Sequence, residues 1–227
     1  MTSVLKKSFI YFTAILILAA CKSQKKVITA THPDKEKMVA PEPKVSSEGM
    51  VNFLSEFLEL KFPEMSFEKY MYVSIKHQHL YLIEKDSTIR KYPISTAKKG
   101  VGSKQNSFKT PPGLHTIKRK IGDNVPLGGV FESRIYTGKS TPIITSKQKA
   151  KRDYVTTRIM WLQGEENGLN RGRNVDSYNR YIYIHGTPEE GFIGQPASHG
   201  CIRMKNSDVV ELYDLVEEGT PILILKY

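Results

Sequence analysis

Cys201 sits in the string Ser198-His199-Gly200-Cys201-Ile202-Arg203, and apart from Cys21 near the N-terminus it is the only cysteine in the chain. A cysteine attacks as its thiolate, and a neighbouring imidazole that takes the proton, helped by nearby positive charge, supplies that form. His185 ends the strand-like run Tyr181-Ile182-Tyr183-Ile184-His185 a short way upstream, so folding back the intervening loop makes it the candidate base. Gly186 has no side chain, which lets its carbonyl approach the imidazole and decide which ring nitrogen carries hydrogen. The amides of Gly200 and Cys201 are candidates for binding the oxyanion of a tetrahedral intermediate, because glycine allows a tight turn there. Arg203 brings a planar, permanently charged fork suited to a substrate carboxylate.

The same residue types raise a zinc site, with His185, His199 and Cys201 as ligands and His115 as a fourth, but no spacing recommends that set. The expectation is no metal and no cofactor, since cysteine, histidine and an oxyanion hole suffice for acyl transfer between amides. Tyr178, Tyr181 and Tyr183 read as strand packing rather than as a substrate platform.

The elements that must position these groups are mostly strands. Tyr70 to Lys76, His79 to Glu84 and Thr88 to Ser95 read as an antiparallel meander with short turns. Further strands are expected at Gly113 to Arg119, Tyr154 to Leu162, Tyr181 to His185 and Pro221 to Lys226, separated by loops rich in glycine, proline and basic residues. Met50, Phe53, Leu54, Phe57, Leu58 and Lys61 follow helical spacing, with Ser46 or Ser47 as a cap and Pro63 as a stop, so residues 49–66 are read as an N-terminal helix packed on the domain. A second helix is signalled by Asp208 and Glu211 as a capping box, with Val209, Leu212, Tyr213 and Val216 on one face and Gly219 and Pro221 beyond its end. The stretch Lys118 to Lys151 shows little periodicity and reads as a long loop, the kind of segment that forms a lid or binding element.

Lys6 and Lys7 precede an uncharged run from Ser8 to Ala20, closed by Leu18-Ala19-Ala20-Cys21, which is the layout of a signal peptide over residues 1–20. Small residues directly before a cysteine resemble a bacterial lipobox, so Cys21 is read as the lipidated residue and the protein as tethered to a membrane it does not span. Residues 21–48 are rich in lysine, proline, serine and threonine and read as a flexible tether. The formal charge of +11 drops by two to +9 without Lys6 and Lys7. A basic surface suits nucleic acid, anionic lipid or an acidic envelope polymer, and export argues against nucleic acid. The cell envelope, on the periplasmic face, is the expected location.

His185-Gly186-Thr187, Gly194-Gln195-Pro196, Ser198 through Met204 and Gly219-Thr220-Pro221 resemble the catalytic domain of the L,D-transpeptidase, YkuD-like family, and Thr110-Pro111-Pro112-Gly113 resembles its strand-entry motif. The resemblance covers residues 67–227. It implies a mainly β fold, antiparallel strands in a sandwich or partly closed barrel with one or two short helices. It also implies a cysteine enzyme of peptidoglycan maturation, forming a thioester on Cys201 with the tetrapeptide stem and passing the acyl group to an amine. Carried over residue by residue, Cys201 is the nucleophile and His185 moves the proton. Gly186, Ser198, His199, Gly200 and Arg203 bind substrate, hold the oxyanion or support the loop. Two other readings stay open: an L,D-carboxypeptidase or related hydrolase on the same scaffold, and a catalytically silent wall-binding lipoprotein. Oligomeric state is not legible.

Overall fold

A computed structural model describes residues 47–227. The expected signal peptide, Cys21 and the tether up to residue 46 lie outside the described residues. Among those described, no helix is long and apolar enough to cross a membrane.

Helix α1 (Ser47–Lys61) buries the stripe Val51, Leu54 and Leu58. With Phe62 it packs on one face of the sheet, against Tyr70 and Tyr72 of β1 (Lys69–Ser74), Ile83 of β2 (His79–Glu84), Leu114 of β4 (Gly113–Ile121) and Leu223 of β10 (Pro221–Leu225). Phe53, read from the spacing as part of the packed stripe, faces out at 60% exposure, because the buried face is narrower than the apolar one.

The alternate residues of β1, Met71 and Val73, point to the opposite face and join the main core with Leu80, Leu82, Ile222 and Ile224. Helix α2 (Asn206–Leu215) covers that face with Val209, Leu212 and Tyr213. Its start lies two residues before the expected Asp208 cap. The amide of Asn206 is capped instead by Glu190 Oε1 at 2.7 Å, a long-range partner that local spacing does not reveal.

The strands form one mixed sheet in the order β3-β2-β1-β10-β4-β7-β5-β6, where β3 is Ser87–Pro93, β5 Gly129–Glu132, β6 Ile135–Ser140 and β7 Val155–Gly164. Two further strands branch from β7: β8 (Tyr183–Gly186) pairs with it, and β9 (Ile202–Met204) pairs with β8. The fold is mainly β with two helices. It is one open, branched sheet ending at β3, β6 and β9, and it is mixed rather than wholly antiparallel, since the pairs β1–β10 and β8–β9 are parallel. Strand β7 can serve three neighbours because a register shift follows Thr156, with Thr157 at φ 68, a bulge that re-aims the strand.

The stretch 118–151 is more ordered than its sequence pattern. β4 runs on to Ile121, and β5 and β6 make a hairpin whose tip residues Ser133 and Arg134 both take positive φ. The β6 residues are mostly exposed, so no alternation betrays the strand.

Candidate active site

The parallel pair β8–β9 aligns Ile184 with Ile202, His185 with Arg203 and Gly186 with Met204. Side chains alternate along strands, and Ile184, Ile202 and Met204 enter the main core. Tyr183, His185, Cys201 and Arg203 are therefore turned to the other face. There Tyr183 and Cys201 pack with Trp161, which stacks on Tyr178 at 4.0 Å and meets Tyr183 edge-on at 5.5 Å. Cys201 and His185 line one open cleft of about 430 Å³, with Arg180, Tyr181, Phe108 and Asp153.

The Cys201 thiol donates to the Tyr181 carbonyl at 3.3 Å and accepts the Tyr183 amide at 3.4 Å. Tyr181 takes φ 57, a conformation uncommon outside glycine, and the residue, which lines the cleft, is 52% exposed. Burial pushes the thiol up to about 11, against the lowering effects of the Tyr183 amide and Arg203. His185 is buried, and its Nδ1 lies 2.7 Å from the Gly186 carbonyl. With Nδ1–H donating there, Nε2 carries the free lone pair. Burial brings the imidazole down to about 4, opposed by the Gly186 bond and aided by Arg203. At neutral pH the resting pair is thus a thiol and a neutral base. Gly186 itself leaves no room for a side chain: a Cβ there would lie 2.6 Å from Asn206 Oδ1 and 2.9 Å from the Thr156 carbonyl.

The loop before Cys201 is held from within and from outside. Ser198 Oγ donates to the Cys201 carbonyl at 2.6 Å and accepts the Gly200 amide at 3.2 Å. The Gly200 amide, read from the sequence as an oxyanion donor, is therefore spent inside the loop, and the Cys201 amide remains for that role. Gly200 has φ 135, which favours glycine. From outside, the Thr96 carbonyl accepts the Ala197 and Ser198 amides, and Ser95 and Arg203 exchange both backbone bonds at 2.9 Å. Thr110 Oγ1 donates to the Gly200 carbonyl at 2.9 Å and accepts the Ala97 amide at 3.0 Å.

Arg203 lines the cleft, but its fork is taken up by the protein's own carboxylates. Its side chain is buried, Nη1 bonds Glu189 Oε2 at 3.1 Å, and Nη2 bonds Asp153 Oδ2. Two carboxylates hold one guanidinium, which supports the site and corrects the expectation that this arginine receives a substrate carboxylate. His199 is exposed, with Nδ1 3.2 Å from the same Asp153 oxygen and its ring 6.1 Å from Phe108, edge-on. It stands between the thiol cleft and a second groove, of about 440 Å³, bordered by Lys98, Lys99, Lys149, Lys151 and Arg152. Among the described residues no group of three or more His, Cys, Asp or Glu side chains is placed to hold a metal ion.

Sequence reasoning missed Asp153, Glu189 and Arg180. Nothing local marks the two acids; the only available signal is that an arginine on a buried strand must find carboxylates. Arg180 sits in a loop, where arginines are ordinarily solvated.

Fold and site together define a mainly β domain whose cysteine and histidine share a cleft beside a parallel strand pair. The family model of the L,D-transpeptidase catalytic domain, YkuD, matches residues 68–224, and the chain belongs to that family. It is 51% identical over 70 residues to a Bacillus subtilis protein named as an L,D-transpeptidase, YkuD, covering 27% of this chain and 43% of that one. A second B. subtilis protein so named, YqjB, is 49% identical over 45 residues, covering 20% and 26%. The matched stretches thus span less than half the length of these relatives. Among solved structures, the L,D-transpeptidase from Mycobacterium smegmatis is similar at 20% identity with a TM-score of 0.42, over 70% of this chain and 58% of that one. The L,D-transpeptidase of Xylanimonas cellulosilytica is similar at 18% identity and 0.41, over 72% and 63%.

Proposed function

We propose that this chain is a cysteine acyltransferase that acts on the tetrapeptide stems of peptidoglycan and cross-links them. The observation that carries this reading is the neutral pair in one cleft: a half-buried thiol and an imidazole whose Nδ1 is tied to Gly186, leaving Nε2 to accept a proton. Cys201 turns from the Tyr181 carbonyl, gives its proton to His185 Nε2 and attacks the carbonyl that follows the third stem residue. The Cys201 amide donates to the oxyanion. His185 then protonates the departing amine of the fourth residue, which leaves a thioester. An acceptor amine loses its proton to His185 as it attacks the thioester, and the proton returns to the sulfur. Each bond made or broken needs one nucleophile and one proton carrier, so no cofactor enters.

Ser198, Thr110 and Gly200 hold the nucleophile loop in this scheme, and Arg203 with Asp153 and Glu189 braces it against β8. The chain also reads as an envelope lipoprotein anchored through Cys21; loss of membrane association in Cys21→Ser is the test of that part.

Purified protein incubated with tetrapeptide muropeptides, with products resolved by mass, tests the activity. Cross-linked dimers support transfer, and tripeptide monomers alone assign water as the acceptor. No product from the wild type, and no thiol adduct with a carbapenem, overturns the reading in favour of a binding module. Cys201→Ala abolishes both signals.

A further inference from the structure

Two arginines reach the thiol cleft, and they differ in one respect. Arg203 is neutralised by Asp153 and Glu189, while Arg180 has no carboxylate partner among the described residues. Arg180 is half-buried and donates only to two main-chain carbonyls, Lys109 O at 2.8 Å from Nη2 and Gly102 O at 3.4 Å from Nη1. Those bonds use two of the five N–H donors of a guanidinium and aim the group without cancelling its charge. It lines the cleft with Cys201, His185 and Tyr181. A partly desolvated guanidinium that its own protein leaves unneutralised is completed by an anion from outside, and its planar fork matches a carboxylate.

We propose that Arg180 binds the C-terminal carboxylate of the donor stem, and so makes the enzyme select stems that end one residue beyond the attacked carbonyl. This rests on the functional reading above. In a tetrapeptide the departing residue carries that carboxylate, and a single residue spans only about 3.5 Å of chain. The anion therefore falls inside the cleft that holds the thiol. Capping it as an amide, or adding a fifth residue, moves the charge away from Arg180.

The test has two arms. In the first, Cys201 of the full chain is alkylated with iodoacetate or with the neutral iodoacetamide, and peptide mass mapping separates Cys201 from Cys21. An anion site beside the sulfur raises the iodoacetate-to-iodoacetamide rate ratio; Arg180→Gln lowers it about tenfold, and Arg180→Lys, which keeps the charge, holds it within about twofold. Taking the ratio cancels any change in the thiol's own reactivity. A ratio that stays within about twofold in Arg180→Gln, at unchanged melting temperature, overturns the proposal.

In the second arm the wild type is given tetrapeptide as free acid and as C-terminal amide. The acid has a KM lower by about tenfold, and Arg180→Lys, which loses the fork, erodes that preference chiefly through KM. Equal use of acid and amide by the wild type overturns the proposal while the transpeptidase reading stands. If the wild type turns over neither peptide, the functional reading falls, and the alkylation ratio still decides whether Arg180 holds an anion. Should Arg180→Gln fail to fold, Arg180→Lys carries the second arm: an acid-over-amide preference as large in Arg180→Lys as in the wild type overturns the proposal.

Discussion

His185 and Arg203 stand opposite each other on the parallel pair β8–β9, a buried imidazole beside a buried guanidinium. A fixed positive charge at that register disfavours imidazolium, in the same direction as burial, so the base stays neutral far below neutrality. Asp153 and Glu189 keep Arg203 itself in place. Arg203 thus acts through its neighbours rather than by touching substrate.

The pH profile of kcat/KM follows from this pair. With His185 at about 4 and Cys201 at about 11, activity is flat across neutral pH and falls on the acid side as the imidazole protonates near 4. Alkylation of Cys201 by iodoacetamide keeps rising with pH towards the thiol value instead of levelling near neutrality. A bell centred on neutral pH, the signature of a preformed thiolate–imidazolium pair, contradicts this assignment.

His115 is fully buried, with Nδ1 3.0 Å from the Gly113 carbonyl and Nε2 2.9 Å from Ser177 Oγ. Burial brings it down to about 4, against 6.5 ordinarily. The unfolded chain therefore binds protons between those values that the folded chain refuses, so stability is full above 6.5, declines as pH falls and levels off below about 4. Each of His115 and His185 accounts for on the order of 3 kcal/mol over that window. Chemical denaturation at a series of pH values checks it: the slope near pH 5 corresponds to about two protons in the wild type and about one in His115→Gln.

Thr110→Val removes the hydroxyl between the Ala97 amide and the Gly200 carbonyl, leaving two buried backbone groups without their partner. The expected cost is about 1–3 kcal/mol, with a fall in kcat as the loop holding Cys201 loosens. Thr110→Ser keeps both bonds and restores kcat. Thermal melts and steady-state kinetics on the pair separate a polar role from a packing one.

Leu58→Ala probes whether α1 is part of the folding unit. Leu58 is fully buried in the cluster with Tyr70, Tyr72 and Leu223. Truncation opens a cavity under the central strands and costs about 2–5 kcal/mol in urea denaturation. Phe53→Ala, on the exposed side of the same helix, changes stability by less than about 0.5 kcal/mol.

What the sequence discloses follows how local the underlying physics is. The meander β1–β2–β3 was legible from alternation, and the buried stripe of α1 from its spacing, because both depend on neighbours a few residues apart. The string Ser198 to Met204 was legible as a site because its residue types are rare together. The Asn206 cap, the Asp153–Arg203–Glu189 cluster and the open valence of Arg180 were not, since each depends on partners brought together only by the completed sheet. The β5–β6 hairpin stayed hidden for another reason: its outer strand buries too little to show a period. Arg203 shows the same limit in reverse, since its residue type suggested substrate recognition and its tertiary partners assign it support.

Strand β10 lies between β1 and β4, in parallel with the first and antiparallel to the second. Residues that come late in the chain thereby supply a middle strand of the sheet, and two separated edges wait for them. Assembly is consequently all-or-nothing and slow, since the Met71–Ile222 register closes a very long loop before it is rewarded. A polypeptide lacking everything from Pro221 onward would leave the facing edges of β1 and β4 raw, so the two halves of the sheet are joined only once the last strand arrives.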